Sequence, residues 1–298
     1  MPLSASPACV GVDWGASRRR VYLLAPDGTH AACHEDAEGM AAARGRVAGS
    51  LDTLLGRLGI DWHLPVLVSG LAGTSHGAQP IPCLGPDVRL VDLPRHLVRL
   101  NGRRYALPGY AQARPHADLL RSQAAHLLGL VAGGHRAGWV VLPGAHSKWV
   151  QLRQGRMQRW HTFVTGELFE AQRHLGGAIP LLEAQWSDET CGFDAGLDLA
   201  ARAKPLTQSL FSLRAAIVNG SVDPQLAAPM LSGLLIGTEF QSMARTEKRA
   251  RRAVLVAADP LAGLYERAAG AFGWEVESLD AHAVYASGVR HLVRAAGC

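Results

Sequence analysis

The first apolar run, Val10-Gly11-Val12-Asp13-Trp14-Gly15, is too short and too continuous for an amphipathic helix and predicts a buried strand ending in a turn. Arg20 to Ala25 predicts a second strand, closed by Pro26-Asp27-Gly28, so the pair reads as a hairpin. Thr29 to His34 is a candidate third strand. Met40 to Leu58 carries Ala, Val and Leu at helical spacing until Gly59 stops it, and Pro65 to Ser69 is another buried strand. The pattern then recurs. Trp139 to Leu142 and Lys148 to Leu152 flank Pro143-Gly144-Ala145-His146-Ser147, Trp160 to Val164 is a candidate third strand, and a helix runs from Glu167 onward. Farther on, Ala253 to Ala257 reads as a strand, Leu261 to Phe272 as a helix, Trp274 to Leu279 as a strand and Ala281 to Ala296 as a closing helix.

Three antiparallel strands, a helix and a further strand form the opening half of a ribonuclease-H-like lobe, and a similar order occurs in both halves of the chain. The expected fold is therefore α/β, with two ribonuclease-H-like lobes, residues 1–134 and 135–298, around a central cleft. A length of 298 residues suits two such lobes. The division is placed at Val131-Ala132-Gly133-Gly134, where the glycine pair reads equally as a hinge or as a plain loop.

With 48% apolar and 18% charged residues, the chain falls among globular proteins rather than disordered ones. Cys9, Cys33, Cys83, Cys191 and Cys298 are scattered and contain no CxxC pair, which argues against a disulfide framework or a zinc site and for a reducing compartment. The chain start has no basic residue before its first apolar run, and no apolar run approaches the ~18 residues of a membrane span, so a cytoplasmic protein is expected. A formal charge of +5 raises nucleic acid as a partner. The densest basic runs, Arg18-Arg19-Arg20 and Lys248-Arg249-Ala250-Arg251-Arg252, are not interleaved with aromatics, and a solvated surface is the favoured reading. No HExxH motif is present, His116, His126 and His135 do not align on a helix, and no GxSxG elbow occurs, so hydrolase readings are set aside.

Four segments carry candidate chemistry. Asp13, followed by Gly15, Ala16 and Ser17, places a carboxylate beside a tight turn whose N–H groups can face a phosphate. Such a carboxylate suits Mg²⁺ held through water, although a plain Asp-capped hairpin would look the same. The turn Gly144-Ala145-His146-Ser147-Lys148 adds a hydroxyl and a lysine to neutralise phosphate oxygens; neither turn matches the Walker pattern. Ser69 to Gly77, with Gly73, Thr74 and Ser75 as its candidate contacts, follows a strand with glycines and hydroxyls that can hydrogen-bond a polyol, or forms a flexible loop. Thr165-Gly166-Glu167 opens a helix, where capping alone accounts for the residues present.

Taken together, Val12-Asp13-Trp14-Gly15 with Arg20, Leu142 to Val150, Thr165 to Leu168 and Leu231 to Glu239 resemble the 2-keto-3-deoxygalactonate kinases, from about Val10 to Arg290. The resemblance implies that ATP, with Mg²⁺, phosphorylates the terminal (6-) hydroxyl of 2-keto-3-deoxy-galactonate in a cleft between lobes of the actin-like ATPase type. It implies nucleotide contacts from Gly15, Ala16, Ser17, Gly144, Ala145, His146, Ser147, Lys148, Ala257 and Ala258. Substrate contacts fall to Gly73, Thr74, Ser75, Arg121, Thr165, Gly166 and Glu167, and the catalytic set to Asp13 (also the metal ligand), Arg121 and Gln123. Arg121 would pair with the substrate carboxylate.

The chain departs from the family pattern in three places. Arg-Gly-Glu-Glu-Thr-Gln reads here Arg121-Ser122-Gln123-Ala124-Ala125-His126, the threonine of the second phosphate turn is Ala145, and Gly-Thr-Ser is Ala258-Asp259-Pro260. An amide has no useful basicity, and loss of a general base costs roughly 10²–10⁴-fold in rate. Asp118 would stand one helical turn before Arg121 and substitute as base if the segment were helical. The alternative expectation is a homologue that binds sugar acid or nucleotide without efficient transfer. The partners expected are a small-molecule sugar acid and a nucleotide, with neither nucleic acid nor membrane, and a homodimer is left open.

Overall fold

Near-continuous burial along the first strands sets the architecture. In the computed structural model, which describes residues 6–27, 29–40, 42–61, 63–71, 73–76, 79–114, 116–174, 190–247 and 251–297, β1 (Cys9–Trp14) pairs antiparallel with β2 (Arg19–Leu24), and β2 with β3 (His30–Asp36). After α1 (Val47–Arg57), β4 (Val66–Ser69) returns parallel to β1, Asp13 facing Ser69 in the register. The helix expected from Met40 starts only at Val47, because residues 42–45 make turns and Gly45 has φ +76°.

The stretch after β4 is a set of short strands that hydrophobic periodicity does not announce. These are β5 (Ser75–His76), β6 (Gln79–Pro80), β7 (Cys83–Leu84), a 3₁₀ turn at Leu90–His96, β8 (Val98–Asn101), β9 (Arg104–Ala106), β10 (Gly109–Gln112) and β11 (Asp118–Leu120), followed by α2 (Ala124–Ala132). Strand β9 lies parallel to β4, giving the six-stranded order β3-β2-β1-β4-β9-β8, while β11-β10-β7 form a separate small sheet. Asp118 is thus in a strand paired across to Gln112, not in a helix ahead of Arg121.

The second half begins with β12 (Gly138–Leu142), β13 (Ser147–Arg153) and β14 (Arg156–Phe163). The last two are joined through Gln154 and Gly155, with φ +53° and +72°, the pair of positive values a two-residue type I′ turn needs. Then come α3 (Thr165–His174), α4 (Thr190–Ala201), α5 (Leu206–Val218), α6 (Ala227–Thr246), β15 (Arg252–Ala257), α7 (Leu261–Ala271), β16 (Glu275–Asp280) and α8 (Ala281–Ala296). The sheet order is β14-β13-β12-β15-β16, with β15 parallel to β12. Helix α6 is buried on nearly all sides, with Ala227 to Gly237 fully covered, so it shows no amphipathic stripe.

The chain divides into two compact units. One comprises residues 1–138, 150–161 and 280–298, and the other residues 139–149 and 162–279, so α8 belongs with the first strands of the chain. Each unit has its own core. Val10, Val12, Val21, Leu51, Leu55 and Val68 pack in the first, and Trp149, Phe240, Tyr265 and Trp274 in the second. Trp149 meets Phe240 and Trp274 edge-on at 5.0 and 4.9 Å.

Each unit also contains a helix pair pressed together at glycines. A side chain at Gly288 of α8 would overlap the Ala125 carbonyl of α2, and one at Gly233 of α6 would overlap the Phe193 carbonyl of α4. No helix among the described residues is long and apolar enough to cross a membrane.

Of the basic runs, Arg18 and Arg252 are exposed as expected of a solvated surface, and Arg19 departs from it. Arg19 is 2% exposed, its guanidinium bonded to Asp36, Glu38 and Ser50 and lying 4.8 Å over Trp14. Arg251 donates to the Glu247 and Phe272 carbonyls and Arg252 pairs with Glu275, while residues 248–250 lie outside the described residues.

Candidate functional site

In the first unit the site is built on the end of β1. The turn after Trp14 is closed by the Gly15 N–H donating to the Arg18 carbonyl at 2.9 Å and by Met40 N–H donating to the Gly15 carbonyl at 2.9 Å. Gly15 and Ala16 are half-buried and Ser17 is exposed. Asp13 is half-buried, and among the described residues a single side-chain donor reaches it, the Ser69 hydroxyl at 3.3 Å. Ser69, fully buried, also lies 3.2 Å from the Val12 carbonyl and 3.3 Å from the Tyr285 hydroxyl of α8. Burial pushes the Tyr285 hydroxyl well above its ordinary pKa, the charge of Asp13 adding to it. One Asp13 oxygen therefore keeps its lone pairs for another ligand.

Gly73 and Thr74 sit on the loop after β4, fixed by mutual backbone bonds to Ile81 at 2.9 Å. The Thr74 hydroxyl gives its proton to the Leu71 carbonyl at 2.6 Å, which leaves it only acceptor lone pairs. Ser75 lies in β5, and its side chain is outside the described set. The Arg121 guanidinium comes close to Gly73, 3.9 Å from where a side chain would begin, and faces Cys83. Burial raises the Cys83 thiol pKa and Arg121 pulls it back.

Gln123 is half-buried at the N-terminus of α2, and its side-chain oxygen is buried without a hydrogen-bond partner among the described residues. A buried amide oxygen left unpaired is costly, so it marks a position that a ligand donor would satisfy. His126, one turn on, packs 5.1 Å from the Tyr285 ring, and burial holds it below the ordinary histidine range, that is, neutral. Asp118 lies beside His116, whose ring stacks on His161 at 5.0 Å.

The second unit places the turn Gly144–Lys148 between β12 and β13, against the start of α3. Glu167 N–H donates to the Ala145 carbonyl at 3.0 Å, and His146 pairs with the Glu167 carboxylate. Gly166 has room for no side chain, since a Cβ there would lie 2.7 Å from the Gly144 carbonyl. The Lys148 ammonium, almost wholly buried, donates to the Thr162 hydroxyl at 2.6 Å. Ala257 ends β15 and Ala258 follows it, its carbonyl accepting from Ala262 at 3.2 Å.

The residue that sequence reasoning did not single out is Glu239 on α6. It is 1% exposed and accepts from Ser147 at 2.8 Å, Trp149 at 3.0 Å, Tyr265 at 2.7 Å and Thr165. Burial pushes its carboxyl pKa up, and the four donors pull it back. Its signal in the sequence is a lone carboxylate inside the otherwise uncharged run Leu231 to Phe240, where an unpaired charge would be expensive. Tyr285 was likewise unannounced, being one helix aromatic among others, and Ser69, which opens the candidate polyol segment, gave no sign of its bond to Asp13.

Two sheets built in the same order, two strands off one edge of a first strand and a parallel strand on its other side, give the actin-like ATPase fold, and the family to which the chain is matched makes it an ATP-dependent sugar kinase. A model of the family described as 2-keto-3-deoxy-galactonokinase matches residues 13–292, and the chain belongs to that family. A probable 2-dehydro-3-deoxygalactonokinase of Rhizobium meliloti is 32% identical over 305 residues, covering 95% of this chain and 96% of its own length. A 2-dehydro-3-deoxygalactonokinase of Escherichia coli is 26% identical over 293 residues, covering 96% and 97%. A crystal structure assigned to a 2-dehydro-3-deoxygalactonokinase of Sinorhizobium meliloti superposes with a TM-score of 0.81 at 30% identity, covering 96% of each chain.

Proposed function

We propose that the chain transfers the γ-phosphoryl group of ATP to the terminal (6-) hydroxyl of 2-keto-3-deoxy-galactonate. The observation that carries this reading is the family match across residues 13–292, a span that takes in the Asp13 turn, Arg121, Gln123, the Gly144–Lys148 turn and Thr165-Gly166-Glu167. Asp13 fits the magnesium ion of such a reaction, because it is a half-buried carboxylate with one side-chain donor and spare lone pairs. When bound, the ion would neutralise charge on the phosphate oxygens.

The backbone amides of Ala16, Ser17 and Gly144 to His146 would hold phosphate oxygens, with Gly15 shaping the turn through its bond to Arg18, and the buried Lys148 would offset their charge. Ser147 would contribute through its N–H, since its hydroxyl proton is given to Glu239. Ala257 and Ala258 would lie along the nucleoside. Arg121 suits a bidentate pair with the sugar-acid carboxylate, beside Gly73, Thr74 and Ser75, and Thr165, Gly166 and Glu167 would complete the sugar site.

Gln123 would accept the proton of the attacking hydroxyl in a hydrogen bond through its unpartnered oxygen, orienting the nucleophile without deprotonating it. That role fits a transfer governed by positioning and charge neutralisation rather than by base strength. A cytoplasmic setting and action on free sugar acid, as a monomer or as a homodimer, belong to the same reading. Purified protein given ATP, magnesium and 2-keto-3-deoxygalactonate should form ADP and a phosphorylated product in equal amounts; binding of both ligands without product would replace this reading with a non-transferring homologue.

A further inference from the structure

We infer that Glu239 is the positioning residue that locks the phosphate turn and the sugar-acid segment of the second unit into one body, so that a ligand on either tightens binding of the other. The inference rests on the assignment of the Gly144–Lys148 turn to nucleotide and of Thr165–Glu167 to sugar acid. Glu239 belongs to the Leu231–Glu239 motif, the one segment of the family resemblance to which no role has yet been attached.

The four donors divide between the two carboxylate oxygens. Oε2 takes Ser147 Oγ–H and the Trp149 indole N–H, both from β13 at the foot of the phosphate turn. Oε1 takes Thr165 Oγ1–H from the first residue of α3, and Tyr265 O–H from α7. A carboxylate has about four acceptor positions, and all four are filled. A core position needs no such group, and taking a carboxylate out of water is expensive unless its geometry is put to use. What this geometry does is join two segments that other contacts also interlock, through Glu167 N–H on the Ala145 carbonyl, the bare Gly166 against Gly144, and His146 on Glu167. The turn cannot shift without moving the start of α3.

The donor chemistry also predicts what breaks the lock. An indole N–H only donates, so in Glu239→Gln the amide oxygen must stay with Ser147 and Trp149, and the NH₂ must take the Oε1 place. There it confronts Thr165 and Tyr265, whose hydroxyls must turn over to accept. Thr165 thereby changes from donor to acceptor toward α6, while β13 keeps both of its bonds. The substitution takes the charge out of the join and reverses the Thr165 bond, which weakens the tie of α3 to α6 and β13 beyond what the remaining turn contacts hold, and it leaves the volume of the core unchanged.

The test is calorimetric binding of a non-hydrolysable ATP analogue, with and without saturating 2-keto-3-deoxygalactonate, together with the melting temperature of each variant. The wild type should bind the analogue at least about fivefold more tightly with the sugar acid present, the lower end of ordinary coupling between sites. E239Q should lose most of that ratio, to less than about twofold. Tyr265→Phe, which removes the one donor that comes from neither the phosphate turn nor the sugar-acid segment and keeps the core filled, should give an intermediate ratio and carries the test if E239Q does not fold. A purely structural Glu239 would lower the melting temperature and leave the ratio intact. Coupling absent in the wild type, or kept in both variants, overturns this inference alone; a wild type that binds neither ligand overturns the kinase assignment as well.

Discussion

The two units carry turns of the same kind, each after the first strand of its sheet, yet their carboxylates are used in opposite ways. Asp13 sits in the turn's own strand, half-buried, with one hydroxyl donor among the described residues. Glu239 reaches its turn from a helix 92 residues along the chain from Ser147, fully buried, with four donors on it. The first can take a cation; the second has no lone pair left to give and serves as a fastener. The supports differ as well. The first hairpin is braced by ion pairs that reach solvent, Arg19 to Asp36 and Glu38, whereas the second turn has one surface pair, His146 with Glu167, and is otherwise held by uncharged donors inside the core. A duplicated element order thus does not duplicate chemistry, and the accessibility of a carboxylate tells the two roles apart.

The contrast breaks most sharply at Asp13. Asp13→Asn should lower kcat by roughly 10³-fold, since several kcal/mol of charge stabilisation by a metal would go with the carboxylate, while urea or thermal unfolding stays close to wild type. Glu239→Ala should do the reverse in kind. Leaving four buried donors unpaired should cost about 3–5 kcal/mol of unfolding free energy, read from urea titration. An Asp13 variant that unfolds, or a Glu239→Ala variant as stable as wild type, would erase the distinction.

A third substitution sharpens the first unit's side of the comparison. Gln123→Glu should raise kcat by about tenfold or more and add a limb to the pH–rate profile, because a carboxylate can act as base where the amide only orients. A fourth exploits the ion pairs. Burial acts to raise the Asp36 carboxyl, but Arg19, His34 and the Glu38 amide outweigh it and bring the pKa from 3.8 down to about 2. The folded value is the lower, so Asp36 contributes stability above the unfolded carboxyl range, and this is lost as pH falls from about 4 to about 2. Asp36→Asn should flatten that part of the acid-unfolding curve by a small margin, and an unchanged curve would remove Asp36 from the support of the first turn.

Much of the fold was legible because short, continuous apolar runs bounded by turn residues mark the strands where the sheets begin. The hairpin around Asp13, the strand at Pro65 to Ser69, the pair flanking Gly144, and the closing strand-helix series all lie within a few residues of the observed bounds. The region from β5 to β11 was not, since strands of two to four residues set by prolines and glycines carry too few positions to show a period. Helix α6 was hidden for the opposite reason, being buried on nearly every side, and the segment at Asp118 reads as helical only by condition, because three strand residues are too few to show a period. In the site, the turns and Arg121 could be picked out by residue type. Glu239, Ser69 and Tyr285 could not, because their meaning lies in contacts made across 90, 56 and 216 residues, such as Trp149 to Glu239, Ser69 to Asp13 and Ser69 to Tyr285.

The central claim is that this chain moves a phosphoryl group from ATP to a 2-keto-3-deoxy sugar acid with Asp13 as its working carboxylate. The most direct measurement is a coupled ADP-release assay of wild type and Asp13→Asn side by side, with ATP, magnesium and 2-keto-3-deoxygalactonate, and the phosphorylated product confirmed by mass. Turnover that needs the sugar acid and falls by roughly 10³-fold in the variant is the predicted result. Wild-type turnover no greater than the protein-free background, or an Asp13→Asn rate equal to wild type, would contradict it.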